Sequence, residues 1–185
     1  TDLIISGKTV ETYASDKIRL EVNVGGRNLL RNSGFEGITH DWGYDGVAAM
    51  AVVTGAEAYE GRSLRVTMPM ATAWAYTRRI FTGLRVGQEY TVSFMMHNTF
   101  DVRVGVGDNP SVFVPTSSTY KKFVASFVAT SDTTSVVVYS TNSPTYGYYV
   151  YIDNEKLEEG NKATAWSPAP EDPASGVKTS SVEVN

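Results

Sequence analysis

Trp74, Tyr76 and Arg78, three residues at alternate positions, carry the clearest chemistry in this chain. Pyranose rings present apolar C–H faces, so indole and phenol rings supply contact area while polar neighbours take the hydroxyls. Alternate residues of a strand share one face, which makes Trp74-Ala-Tyr-Thr-Arg78 an amphipathic platform of the right spacing. His97 and Arg103 fall on strand faces opposite apolar residues and could add hydrogen bonds. Tyr139, Tyr146 and Tyr148 border the polar stretch Ser140–Thr145. The expected sugar-contacting set is therefore Trp74, Tyr76, Arg78, His97, Arg103, Tyr139 and Tyr146. The plain alternative for any of the aromatics is that it packs a core. That role is expected of Trp42 and Trp166.

Catalytic readings find less support. His40 sits beside Asp41 in a glycine-rich stretch and His97 at a strand end. No nucleophile elbow, HExxH metal motif or phosphate loop is present. A glycosidase needs two carboxylates at a set separation, and none of the 20 acidic residues stands out for that task. The chain is expected to be non-enzymatic. It has no cysteine, which excludes disulfides, thiolate zinc sites and cysteine nucleophiles. A net charge of −4 without any basic cluster makes nucleic acid a poor partner. No apolar run of about 18 residues exists to span a bilayer, and no signal peptide is seen. The chain opens at Thr1 without methionine, as a piece of something longer would.

The elements that must position these side chains are strands. There are 11 Tyr and 7 Phe, with 16 Gly punctuating the runs. In Tyr90–His97, Tyr90, Val92, Phe94 and Met96 share one face, while Thr91, Ser93, Met95 and His97 share the other. In Asp101–Val106 the valines are expected inward, with Asp101 and Arg103 outward. Further strands are read at Ala48–Thr54, Ser63–Met68, Ala73–Phe81, Tyr120–Ala129, Ser135–Tyr139 and Tyr146–Ile152. Turn formers separate them, among them Glu60-Gly61, Gly107-Asp-Asn-Pro110 and Asn142-Ser-Pro144. This rhythm predicts an all-β, two-sheet antiparallel β-sandwich. It spans residues 25–172, between extended connectors at 1–24 and 173–185.

Two segments carry a resemblance. One is Arg27-Asn-Leu-Leu-Arg-Asn-Ser-Gly-Phe-Glu36 with Trp42 after it. The other is Tyr149-Val-Tyr-Ile-Asp-Asn-Glu-Lys-Leu-Glu-Glu-Gly-Asn-Lys-Ala-Thr-Ala-Trp166, followed by Ser-Pro-Ala-Pro170. Together they resemble the opening and closing strands of carbohydrate-binding modules of the kind appended to xylanases and cellulases. More specifically, they are similar to modules embedded in tail and baseplate proteins of phages infecting Gram-positive bacteria. The resemblance implies a jelly roll whose first and last strands pair, with a sugar site on the concave sheet or at the loop tips, and no catalysis. Leu29-Leu30 would then bury beside Val150 and Ile152.

Related modules often hold a structural calcium on the Glu of an "FE" turn and the Asp of a closing "IDN" strand, which here are Glu36 and Asp153. By this resemblance the chain is a non-catalytic adhesion module of a phage tail that works at the bacterial cell surface. Its partners would be cell-wall polysaccharide or another glycan and neighbouring tail-protein segments. The rival expectation is a spacer or decoration domain of the tail that binds no sugar. A third is a bacterial adhesin or enzyme-appended module using the same glycan chemistry.

Overall fold

Period-two alternation of β-branched and aromatic residues lets one strand face bury while the other meets water. The computed structural model describes residues 4–5, 8–9, 26–36, 41–45, 49–68, 75–141 and 148–172. Within the expected N-terminal connector, β1 (Ile4–Ile5) and β2 (Lys8–Thr9) pair antiparallel. The rest of 1–24, and all of 173–185, lie outside the described residues. The other strands are β3 (Trp42–Asp45), β4 (Ala49–Thr54), β5 (Arg62–Met68), β6 (Tyr76–Thr82), β7 (Glu89–Asn98), β8 (Val102–Val106), β9 (Val112–Val114), β10 (Ser117–Val128), β11 (Thr133–Ser140) and β12 (Tyr148–Glu159). They form two five-stranded antiparallel sheets. The first runs β10-β7-β12-β5-β4 and the second β3-β6-β11-β8-β9. The fold is an all-β jelly-roll sandwich.

The predicted faces hold. Tyr90, Val92, Phe94 and Met96 of β7 are buried, as are Val102, Val104 and Val106 of β8. Phe94 stacks on Phe123 of the neighbouring strand at 5.0 Å and meets Trp42 of the other sheet edge-on at 6.5 Å. Trp42 is buried, as expected of a structural residue. Strands β3 and β9 were not expected. At four and three residues they are too short for alternation to show.

One expected pairing is corrected. Residues 26–36 form turns and irregular chain rather than a first strand, and Leu29 N–H donates to Leu157 O at 2.8 Å. Leu29-Leu30 therefore lies beside Leu157, far along β12 from Val150 and Ile152. The reason is positional, because Val150 and Ile152 are paired on both sides, with Val66 and Leu64 of β5 and with Asn98 and Met96 of β7. No free strand edge remains there for another segment. Asn28 also substitutes for a ladder. Its side chain, fully buried, accepts from the N–H groups of Leu30 and Leu157 and donates to Ser33 Oγ, Glu155 O and Ser167 O.

A bulge in β12 completes the frame. Its pairing with β7 shifts between Asp153 and Lys156, where Asn154 takes φ 48°. An extra residue in one strand reverses the inside–outside phase beyond it. Ile152 and Leu157, five positions apart, can thus both enter the core. Glu155 turns inward to Arg79 and Trp42, while Lys156 bonds Thr164 and Ala165 of the closing segment.

Candidate functional site

The outer face of the second sheet gathers four of the seven expected sugar-contacting residues. On β6, Tyr76 is half-buried and Arg78 exposed, while Thr77 and Arg79, on the alternate positions, are buried. Tyr76 pairs with Tyr139, Tyr139 with Arg103, and Arg103 with Phe113. These four lie in one row across β6, β11, β8 and β9. Three inter-strand steps of about 4.8 Å give the row a length of roughly 14 Å. Arg78 lies one row over, opposite Val137, which in turn faces Gly105. Trp74 and Tyr146 lie outside the described residues.

Local contacts fix the row's middle. A Cβ on Gly105 would stand 4.0 Å from the Tyr139 ring and 3.9 Å from Ser111, so the ring leans over a position without a side chain. Arg103 is held by its Nε to Ser111 Oγ at 3.0 Å, with Nη2 3.4 Å from Ser111 O. Phe113, half exposed, was missed by sequence reasoning. Its signal was the apolar triplet Val112–Val114 between Pro110 and Pro115, which has no room to display a period. Beneath the face, buried Arg79 pairs with buried Glu155 across the sandwich and with Asp41 at 3.1 Å. Burial pushes the Glu155 carboxyl up, and the Arg79 charge with the Trp42 and Arg79 hydrogen bonds opposes it.

His97 does not join this set. It lies on β7, in the other sheet, on the outward phase expected for it. Its ring stacks on Tyr151 at 5.0 Å and meets Tyr120 edge-on at 5.6 Å. Tyr120 also touches Tyr59, and Tyr151 touches Tyr149, so five rings form a continuous stripe on the first sheet's outer face. Glu57 binds the stripe together. Its backbone O accepts from Tyr120 Oη at 2.8 Å and its carboxylate from Tyr151 Oη and Arg65. Burial lowers the His97 pKa and pushes that of Tyr120 up to about 12. Alternation gives a residue's phase but not its sheet, so this stripe could not be assembled from sequence.

Glu36 and Asp153 flank the Glu60–Ser63 turn. Asp153 is fully buried, and its carboxylate accepts from Glu60 N–H, Ser63 Oγ and Asn154 N–H at 3.1, 2.9 and 2.6 Å. Burial pushes its pKa up to about 6, against the pull of these hydrogen bonds. Glu36 is exposed, its carboxylate 3.4 Å from where a Cβ of Gly61 would stand. Calcium takes six to eight oxygens. Among the described residues no three His, Asp or Glu side chains gather as a metal-holding group.

Trp166 closes the frame, as expected of it. Its Nε1 donates to Glu155 O at 3.1 Å and Ser33 Oγ at 3.2 Å, and its ring rests where a Gly34 Cβ would be only 3.0 Å away. The opening and closing motifs are thus one interlock.

No family model matches the sequence, and no curated protein matches it. Solved structures do match. The CBM22-1 xylan-binding domain of Paenibacillus barcinonensis Xyn10C superposes with a TM-score of 0.57 at 18% identity, over 75% of this chain and 97% of that one. TmCBM61, in complex with β-1,4-galactotriose, gives 0.52 at 22% identity, over 71% and 98%. The enzymatically active domain of tailspike protein 4 of bacteriophage CBA120 gives 0.55 at 16% identity, over 71% of this chain and 21% of the tailspike chain. At these identities the likeness is one of fold, a jelly-roll sandwich shared with sugar-binding modules and with part of a phage tailspike.

Proposed function

We propose that this chain is a non-catalytic glycan-binding module, and that its binding face is the outer surface of the second sheet. The observation that carries this is the single cross-strand row Tyr76–Tyr139–Arg103–Phe113, with Arg78 beside it. Three aromatic rings flank one guanidinium held in place, which is the mixture a sugar needs: apolar C–H faces to stack, hydroxyls to bond. A row of roughly 14 Å suits a run of sugar residues rather than one ring. The likeness to modules described as xylan-binding and galactotriose-bound supports the ligand class, and the tailspike likeness supports a place on a phage tail. The module then acts from the virion at the bacterial surface, on wall polysaccharide of a Gram-positive host. Chain segments 1–24 and 173–185 would join it to neighbouring tail segments. Multiple copies on a tail raise effective affinity without new contacts.

The test is binding of the fluorescently tagged domain to intact Gram-positive cells and purified wall polysaccharides. Saturable binding, competed by an oligosaccharide and lost at least about tenfold in Tyr139→Ala and Arg103→Ala, is expected. A folded, multimerised domain that binds none of them would make the module a spacer. Binding unchanged in both variants would move the site elsewhere.

A further inference from the structure

We propose that the opposite face of the sandwich carries a second carbohydrate site, a pocket for one neutral or N-acetylated hexopyranose between Tyr59 and Trp166. The pocket lies on the outer side of the first sheet and encloses about 300 Å³. Tyr59, Glu60, Met95, Lys122, Asn154 and Trp166 line it, together with Phe94, whose side chain is buried in the core. That volume is at the small end of ligand sites, the scale of a single ring rather than an extended chain. Met95 is a β7 residue on the outward phase, Lys122 belongs to β10, and Tyr59 and Glu60 come from the turn before β5. The closing segment contributes Trp166.

The chemistry of the lining favours a sugar. Two large aromatic side chains supply apolar walls. Trp166 is held rigidly by its two Nε1 hydrogen bonds and by the absence of a side chain at Gly34, so it needs no ordering on binding. Tyr59 is 42% exposed, so its ring is open to a ligand. Polar groups converge between these walls. Asn154 Nδ2 donates to Glu60 Oε2 at 3.0 Å, which orients the carboxylate and leaves its other oxygen to accept. Lys122 Nζ gives one proton to Thr164 O at 3.1 Å and keeps two more to donate. An oriented acceptor and an oriented donor suit adjacent hydroxyls. Opposed charges on the two residues argue for a ligand without net charge.

The pocket also opens onto the aromatic stripe. From Tyr59 the rings run to Tyr120 at 5.3 Å, His97 at 5.6 Å and Tyr151 at 5.0 Å. Among the described residues no second layer of sheet covers this side, and a sugar chain whose end residue sits in the pocket would pass over Tyr120 and His97, Tyr151 itself being buried. None of these residues belongs to the second sheet's face, so the two sites stand or fall separately.

The experiment is a ¹⁵N NMR titration of the whole chain with the methyl glycosides of glucose, galactose, rhamnose and N-acetylglucosamine. At about 10 mM ligand, a Kd of about 1 mM gives near-saturation. One glycoside is expected to shift the Trp166 indole and Asn154 side-chain signals saturably. Tyr59→Ala should weaken that shift about tenfold or more, Lys122→Met less, and Tyr139→Ala not at all. Amide dispersion shows that each variant is folded. No movement of the Trp166 and Asn154 signals with any glycoside would overturn the proposal. So would shifts that survive both Tyr59→Ala and Lys122→Met, or shifts confined to second-sheet residues.

Discussion

At the scale of single residues, Asp153 gives the sharpest expectation. Its carboxyl is pushed up from 3.8 to about 6 by burial, so the folded chain holds a proton that the unfolded chain releases. Its contribution to stability is then fully present below about pH 4 and is lost as pH rises through about 6. A calcium ion on Glu36 and Asp153, proposed from the resemblance, would reverse that sign, because the metal requires ionised carboxylates. Thermal midpoints measured from pH 4.5 to 7.5 separate the cases. With chelator, stability falls with pH, and Asp153→Asn flattens the slope. With calcium bound, the midpoint at pH 7.5 rises above the chelated value, and coincident curves would remove the metal. Both carboxylates were legible as parts of motifs. That Asp153 faces three donors was not, since two of them come from the Glu60–Ser63 turn some 90 positions away and the third from the bulged Asn154.

At the scale of elements, the irregular segment 26–36 holds a buried polar hub at Asn28. Asn28→Ala removes five hydrogen bonds and takes from the buried N–H groups of Leu30 and Leu157 the side-chain oxygen they share, while Glu155 O keeps the Trp166 indole N–H. Each unsatisfied buried group costs about 1–3 kcal/mol, so a loss of about 3 kcal/mol or more is expected in urea unfolding. Leu29→Ala next door, at a side chain 40% exposed, should cost under about 1 kcal/mol, although hydropathy alone ranks the two the other way. Strand faces were readable because alternation is local. Tyr76, Arg78 and Arg103 were placed on outward phases without knowing their neighbours. Register was not readable. That Tyr139 stands between Tyr76 and Arg103 depends on how β11 aligns with β6 and β8, and Phe113 enters through an edge strand of three residues. The bulge at Asn154 had no local signal in the alternation, yet it decides which residues of β12 meet the core and which meet the closing segment.

At the scale of the whole molecule, the two proposed sites point in opposite directions. Sheets of a sandwich pack about 10 Å apart, and side chains on both outer faces widen the gap. One glycan strand cannot lie on both. A domain with two working faces should therefore bridge separate polysaccharide chains. Light scattering of polysaccharide mixed with the domain should rise for the parent chain and stay flat for Tyr139→Ala or Tyr59→Ala alone. A rise that survives in both single variants would count against two independent faces. The sandwich as a whole was legible from composition and rhythm. The opposition of the faces was not, because it needs the assignment of His97 and Tyr76 to different sheets.

The ends of the sandwich sit side by side. Arg27 pairs with Glu171, and the Asn32 N–H donates to both carboxylate oxygens of Asp172 at 2.9 and 3.0 Å. Tension applied along the polypeptide enters and leaves at nearly the same point, so it falls on this clasp and not on the strands. While the clasp holds, the β-ladders bear no load. On the proposed function the sandwich would be a pendant on the line of force, able to keep its grip while a chain that carried it was pulled.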